Sequence, residues 1–317
     1  VFKKSIESFF CLISSWIYIN FFCFRVPPRS HCSCLTLGWM SLFNRHFRGI
    51  GSYVALASGT IFVSYALAIY VDSKKKRPIF KYDKFSISQR NRNIDNSSSP
   101  ISIIEQKWRR TKESQKTMYA LILSNSIIFF AWSLRPTSIF MNRFFLHSIT
   151  SHPLSMLGSI FSHKSILHLG FNMFALMSFG SFLHDKMGRE QFLAFYLSSG
   201  MSSSLASHIY KSLRNNYTPS LGASGAIFGL VGGCAHYPEL KVSLIFLPIH
   251  SVPINQALPL MMGVDSLGIL LNWKVFDHAA HLGGSLFGYS FLPISKIKYG
   301  KIDQKYCAIL IYNSVQI

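Results

Sequence analysis

Two polar residues stand out for what surrounds them. Ser224 lies in Gly222-Ala223-Ser224-Gly225 inside an apolar, glycine-rich stretch, and His281 lies in His278-Ala279-Ala280-His281-Leu282-Gly283-Gly284 inside another. A serine hydroxyl is a weak nucleophile at neutral pH until a base takes its proton, and imidazole is suited to that task. Gly225 and Gly229 fall four apart on one helical face, with Gly232 and Gly233 a turn further on, while Gly284 and Gly288 lie three and seven residues beyond His281. Faces without bulk let two helices touch. The spacing therefore allows a Ser224 nucleophile to meet a His281 base. A serine after the turn signature Pro219-Ser220-Leu221-Gly222 is, taken alone, more often an N-cap. The flanking glycines favour the nucleophile, and the free N–H groups of a first helical turn suit developing negative charge.

His168 and Asn172 are four apart in Ile166-Leu167-His168-Leu169-Gly170-Phe171-Asn172, so both project from one helical face. One such residue would read as helix-packing glue; two on one face are less easily dismissed. His163 lies off that face and reads as structural. Asp277, four residues before His281, reads as an N-cap of the last helix. With no evident third carboxylate, the site is expected to be a Ser–His dyad.

These residues need helices at bilayer depth to position them, and the composition supplies such helices. Of 317 residues, 49% are hydrophobic and only 14% charged, against roughly 25% charged in soluble domains. The apolar segments 50–71, 118–134, 166–183, 191–209, 223–236, 255–271 and 279–293 predict one isolated span and six clustered ones. The serines of 191–209 read as helix-interface residues. Between the first span and the cluster, residues 72–117 form a basic polar linker with thirteen Lys/Arg and five Asp/Glu, and 91–100 reads as disordered. Residues 295–317 are read as a tail too short to span.

The net charge of +20 raises nucleic-acid binding as an alternative. The basic residues lie between apolar runs, as insertion bias places them, and no nucleic-acid partner is expected. The chain opens on Val1, and its first methionine is Met40. No acid occurs between Glu7 and Asp72, while Arg25, Arg29, Arg45 and Arg48 fall among serines. Residues 1–49 are therefore read as an organelle-targeting segment. The run 9–24 is left as either an extra span or untranslated sequence read as protein. The six cysteines form no zinc or disulfide framework.

The three motifs, in their order and separation, resemble the signatures of rhomboid intramembrane serine proteases, over about 118–293. The extra span ahead of a six-helix core resembles the mitochondrial, presenilin-associated branch. The resemblance implies an all-α polytopic membrane protein of one plus six helices, cleaving single-span membrane proteins from the lipid bilayer of the mitochondrial inner membrane. It implies Ser224 as nucleophile, His281 as general base and acid, and His168 and Asn172 as oxyanion donors beside the Ser224 N–H. It also makes 255–271 a mobile gate helix, and implies no cofactor or metal. Two departures are visible. Phe228 stands where many bacterial relatives carry tyrosine against the histidine, and the Trp-Arg loop signature is reduced to Trp132-Ser133-Leu134-Arg135.

A non-catalytic relative that binds membrane clients is the alternative, although it would lack the serine or histidine present here. A metalloprotease lacks His-Glu-x-x-His, and the histidines have no companion carboxylate other than Asp277. An aspartyl protease needs paired acids, and Asp265 alone lies well inside a span. The elbow of a soluble hydrolase fails at Ala226, where a second glycine is required.

Overall fold

The computed structural model describes residues 35–75, 100–244 and 247–296. Contacts divide the chain after Arg48 into two units, and the packing below is that of the unit from Gly49 onward. Residues 1–34, the stretch 91–99 expected to be disordered and the tail from 297 lie outside the described residues.

The chain is largely helical. Helix α1 (Leu35–Lys74) holds the first apolar segment, α2 (Pro100–Arg110) lies within the expected polar linker, and α3 (Glu113–Leu134) opens the clustered set. Two short helices, α4 (Ile139–Phe145) and α5 (Ser155–Ser159), fill the following connection. Then α6 (Ile166–Ala175) runs through a π-helical turn, Leu176–Gly180, into α7 (Ser181–Met187). Next come α8 (Arg189–Leu213), α9 (Ser224–Cys234), α10 (Ile254–Leu270) and α11 (His278–Lys296). Among the described residues, Ile50–Lys74, Glu113–Leu134 and Ile166–Met187 are long and apolar enough to cross a membrane.

One element departs from an all-α expectation. Strands β1 (Lys241–Leu244) and β2 (Leu247–Pro253) form an antiparallel hairpin between α9 and α10, with Lys241 opposite Pro253 and Val242 opposite Val252. β-Branched residues facing each other favour a ladder. Pro253, which cannot donate to it, ends the strand and caps α10.

The centre is α9, held between α8 and α11. A Cβ on Gly284 would strike the Gly225 carbonyl, and one on Gly288 would strike the Gly229 carbonyl, so α9 and α11 meet backbone to backbone. On its other side, α9 offers the same glycines to the buried Ser203 and Ser199 of α8. The serines of this span are interface residues, as expected. Helix α1 docks on α8 through Tyr53, whose ring stacks on His208 with centroids 3.8 Å apart.

Candidate active site

The serine is delivered by a short loop that several backbone bonds hold in place. His147 and Ser220 exchange N–H···O bonds of 3.1 and 2.7 Å, and the Gly222 N–H donates to the Ser159 carbonyl at 2.9 Å. Gly222 then takes φ +137°, a conformation open to glycine, and α9 begins at Ser224. The capping position is Ala223, so the Ser224 hydroxyl is not used as an N-cap. It lies 3.1 Å from His281 Nε2.

The histidine has a second partner that sequence reasoning missed. His281 Nδ1 is 3.2 Å from Asp265 Oδ1 on α10, and His278 Nδ1 is 2.7 Å from the same oxygen. All three residues are buried. A carboxylate can only accept, so Nδ1 of His281 carries the hydrogen and Nε2 is left to accept from the serine hydroxyl. The expected dyad is thus joined by a third group, and the Asp is not Asp277. The signal available in the sequence was the cost of an aspartate inside an apolar span, which demands a partner. Phe228 lies flat on the other side of the imidazole, with centroids 4.0 Å apart and planes 6° from parallel. The ring packing attributed to a tyrosine is kept, without the hydroxyl.

Asp277 acts as read from the sequence. Its Oδ1 accepts from the Ala280 N–H at 3.2 Å, capping α11. Its Oδ2 accepts from Lys211 Nζ at 2.8 Å, from the Ser207 hydroxyl at 2.6 Å and from the Ser220 hydroxyl. Burial works against this carboxyl's charge, but Lys211 and the two hydroxyls outweigh it and hold the group at about 2. This cluster ties the start of α11 to the end of α8 and to the loop that carries Ser224.

His168, Asn172, Ser224 and His281 line one cavity of about 750 Å³, together with Phe171, Ile227 and Trp273. Ser165 caps α6 by accepting from the His168 N–H at 3.2 Å. A Cβ on Gly222 would sit 3.0 Å from His168 Nε2 and 3.8 Å from Ser224 Oγ, so the missing side chain leaves a space between imidazole and hydroxyl. Asn172 Nδ2 donates to the His168 carbonyl at 2.7 Å, leaving its other N–H free for the cavity. His163 is buried beside His168, with ring centroids 5.0 Å apart.

Asp265, His278 and His281 place one potential ligand atom each within 4.8 Å of one another, and so form a candidate cation set. Two ligands on a tetrahedral zinc with bonds of about 2.0–2.1 Å stand roughly 3.3 Å apart. The 2.7 Å between Asp265 and His278 is shorter, a hydrogen-bond separation. The carboxylate missing from the metal reading is present, but in a hydrogen-bonded arrangement.

A rhomboid-domain family model matches residues 150–296, which contain His168, Asn172, Ser224, Asp265 and His281. Over that stretch the chain is similar to the rhomboid domain. It is similar to the mouse "Presenilin-associated rhomboid-like protein, mitochondrial", 39% identical over 196 residues, 60% of this chain and 51% of the mouse protein. It is also similar to yeast (Saccharomyces cerevisiae) "Rhomboid protein 1, mitochondrial", 37% identical over 178 residues, 54% of this chain and 51% of that protein. Bacillus subtilis "Rhomboid protease GluP" is 33% identical over 134 residues, 42% of this chain and 24% of that protein. The chain spans about half the length of the mitochondrial relatives it matches. Within the family, the likeness supports the presenilin-associated rhomboid-like branch.

Proposed function

We propose that this chain is an intramembrane serine endopeptidase that cleaves transmembrane segments of single-span membrane proteins. The observation that carries the reading is the Ser224 hydroxyl 3.1 Å from His281 Nε2 in a cavity shared with His168 and Asn172. In the proposed reaction, Ser224 Oγ attacks the scissile carbonyl as its proton passes to His281 Nε2. Asp265 steadies the resulting imidazolium through Nδ1–H. The negative charge on the carbonyl oxygen is met by the Ser224 N–H, His168 and Asn172 around the space left by Gly222. His281 then protonates the leaving amine, and water hydrolyses the acyl-enzyme on Ser224.

The fold reading that goes with this is one extra span, α1, ahead of six core helices. Helix α9 has 11 residues, about 16 Å at 1.5 Å per residue, against a hydrocarbon core of about 30 Å. Ser224 would then start below one membrane surface, reached by water along the polar loop that holds Asn216, Thr218 and Ser220. Substrate would enter from the lipid past α10. The same proposal places the chain in the mitochondrial inner membrane as a multi-pass protein; the names of the relatives and the acid-free, arginine-bearing N-terminal sequence support the mitochondrial part of it.

A fluorophosphonate tests the chemistry. It should label the wild-type protein in detergent at Ser224, read by mass spectrometry, and Ser224→Ala should lose both label and cleavage; losing a serine nucleophile costs on the order of 10⁶ in turnover. A folded wild type that binds membrane proteins yet neither labels nor cleaves would be a client-binding relative. Cleavage that survives Ser224→Ala and stops on chelation would move the chemistry to a cation on Asp265, His278 and His281.

A further inference from the structure

Helix α2 shows solvent a face that a soluble helix would bury. Ile101, Ile104 and Trp108 are 77%, 68% and 50% exposed, and their i, i+3, i+7 spacing makes them one stripe. Around that stripe the helix is basic. Arg109 is paired with Glu105 at 2.6 Å and Lys116 with Glu113 at 2.8 Å. Among the described residues, no carboxylate pairs with Lys107, Arg110 or Lys112.

The stripe also continues onto a span. Thr111 Oγ1 donates to the Lys107 carbonyl at 2.9 Å, closing α2. Lys112 takes an extended conformation, and α3 starts at Glu113. The Trp108 ring lies 6.4 Å from that of Tyr119 on α3, and the Lys116 ammonium lies 5.8 Å from the Trp108 ring centre. Tyr119 in turn begins the exposed row Leu123, Ile127 and Phe130 on α3. Trp, Tyr and Lys gathered where a span begins are the signature of a membrane–water boundary. Three apolar side chains on an 11-residue helix fall far short of the roughly 800 Å² per partner of a stable protein interface. A lipid surface has no such minimum.

We propose that α2 is an in-plane anchor on the leaflet where α3 enters. The Ile101–Ile104–Trp108 stripe embeds at the boundary of headgroups and acyl chains, and Lys107, Arg110 and Lys112 bind anionic phospholipid headgroups. This inference rests on α3 being a span and not on the proteolytic reading.

The test uses the whole chain in vesicles of phosphatidylcholine, with and without phosphatidylglycerol. Trp108 fluorescence is isolated as the difference between wild type and Trp108→Phe. It should be quenched by phosphatidylcholine brominated high on the acyl chain and be shielded from aqueous iodide. The double variant Lys107→Gln/Arg110→Gln should retain less phosphatidylglycerol in native mass spectrometry, by about fivefold per charge removed. Fluorophosphonate labelling of Ser224, or the melting temperature if wild type does not label, checks that each variant is folded. Free access of iodide to Trp108 in both lipids would overturn the anchor. Shielding from both quenchers would also overturn it, since protein would then cover the face. Unchanged phosphatidylglycerol retention in the double variant would overturn the headgroup contact.

Discussion

Helix α11 meets its two neighbours in opposite ways. Against α9 it is joined by backbone, with Gly284 and Gly288 set on the carbonyls of Gly225 and Gly229. Against α10 it is joined by side chains, through the bonds from His278 and His281 to Asp265. Helix α9 is buried almost throughout, whereas α10 buries only Ile254, Leu258, Asp265 and Gly268. Glycine seams cannot slide without a clash, while hydrogen bonds can open and re-form. Ser224 and His281 are thus fixed relative to each other, and the Asp265 carboxylate bonded to His281 rides on the less buried helix.

The strongest test of the fixed side concerns the donors facing Ser224. Asn172→Ala should lower kcat by up to about 10²-fold, less than the 10²–10³ of a sole oxyanion donor, because His168 and the Ser224 N–H remain. KM should hold. A variant with wild-type kcat and poorer affinity would return Asn172 to packing, in keeping with its bond to the His168 carbonyl.

Paired glycine substitutions address the comparison directly. Gly288→Ala forces a methyl against the Gly229 carbonyl, which cannot give, and should cost about 1–3 kcal/mol in unfolding experiments. Gly268→Ala meets the His278 ring instead. That ring must shift as a whole, at the expense of its bond to Asp265, so turnover should fall while the stability loss stays smaller than at Gly288. Equal stability losses at both positions would mean that the two seams are alike.

Asp265→Asn asks how far the side joined by side chains matters to the chemistry. An amide can offer N–H to His281 Nδ1 and favour the wrong tautomer, an effect worth about 10⁴ where a carboxylate is indispensable. Here it should be only about 10–30-fold, because Phe228 also holds the ring. Unchanged kcat would reduce Asp265 to a packing contact.

Much of the fixed side was legible in the sequence, because the information is local. Ser224, His281 and their glycines are read off within one or two helical turns, and helical periodicity converts them to faces. Asp265 was not legible as a partner. Its link to His281 depends on how α10 leans on α11, and the sequence shows only that an acid in an apolar span needs company. Asp277 was read as a cap because capping is local. Its bonds to Lys211, Ser207 and Ser220 join distant segments and had no local sign. The β1–β2 hairpin falls between the apolar segments 223–236 and 255–271, where the uninterrupted apolar stretch 244–249 masks the alternation of 241–244. Helix α2 was hidden by charge, because a stripe of three apolar residues barely changes the average of a basic linker.

The Asp277 cluster supplies an effect that is fully present at neutral pH and shows its pH dependence only in acid. Its carboxyl is held at about 2, below the usual 3.8. A group with a depressed folded-state pKa adds stability above its unfolded value and loses it as pH falls through the folded value. The wild type should therefore lose about 2 kcal/mol from this group between pH 4 and 2. Lys211→Gln should reverse the sign. Without the cation, the burial that opposes Asp277's charge dominates, its pKa rises above the unfolded value, and the same group favours the folded state at low pH. The other carboxylates titrate in both proteins, so the difference between their melting temperatures across that window isolates Asp277. Parallel acid profiles would show that Lys211 does not set its charge, and that the start of α11 is held by the two serine hydroxyls and the Ala280 cap alone.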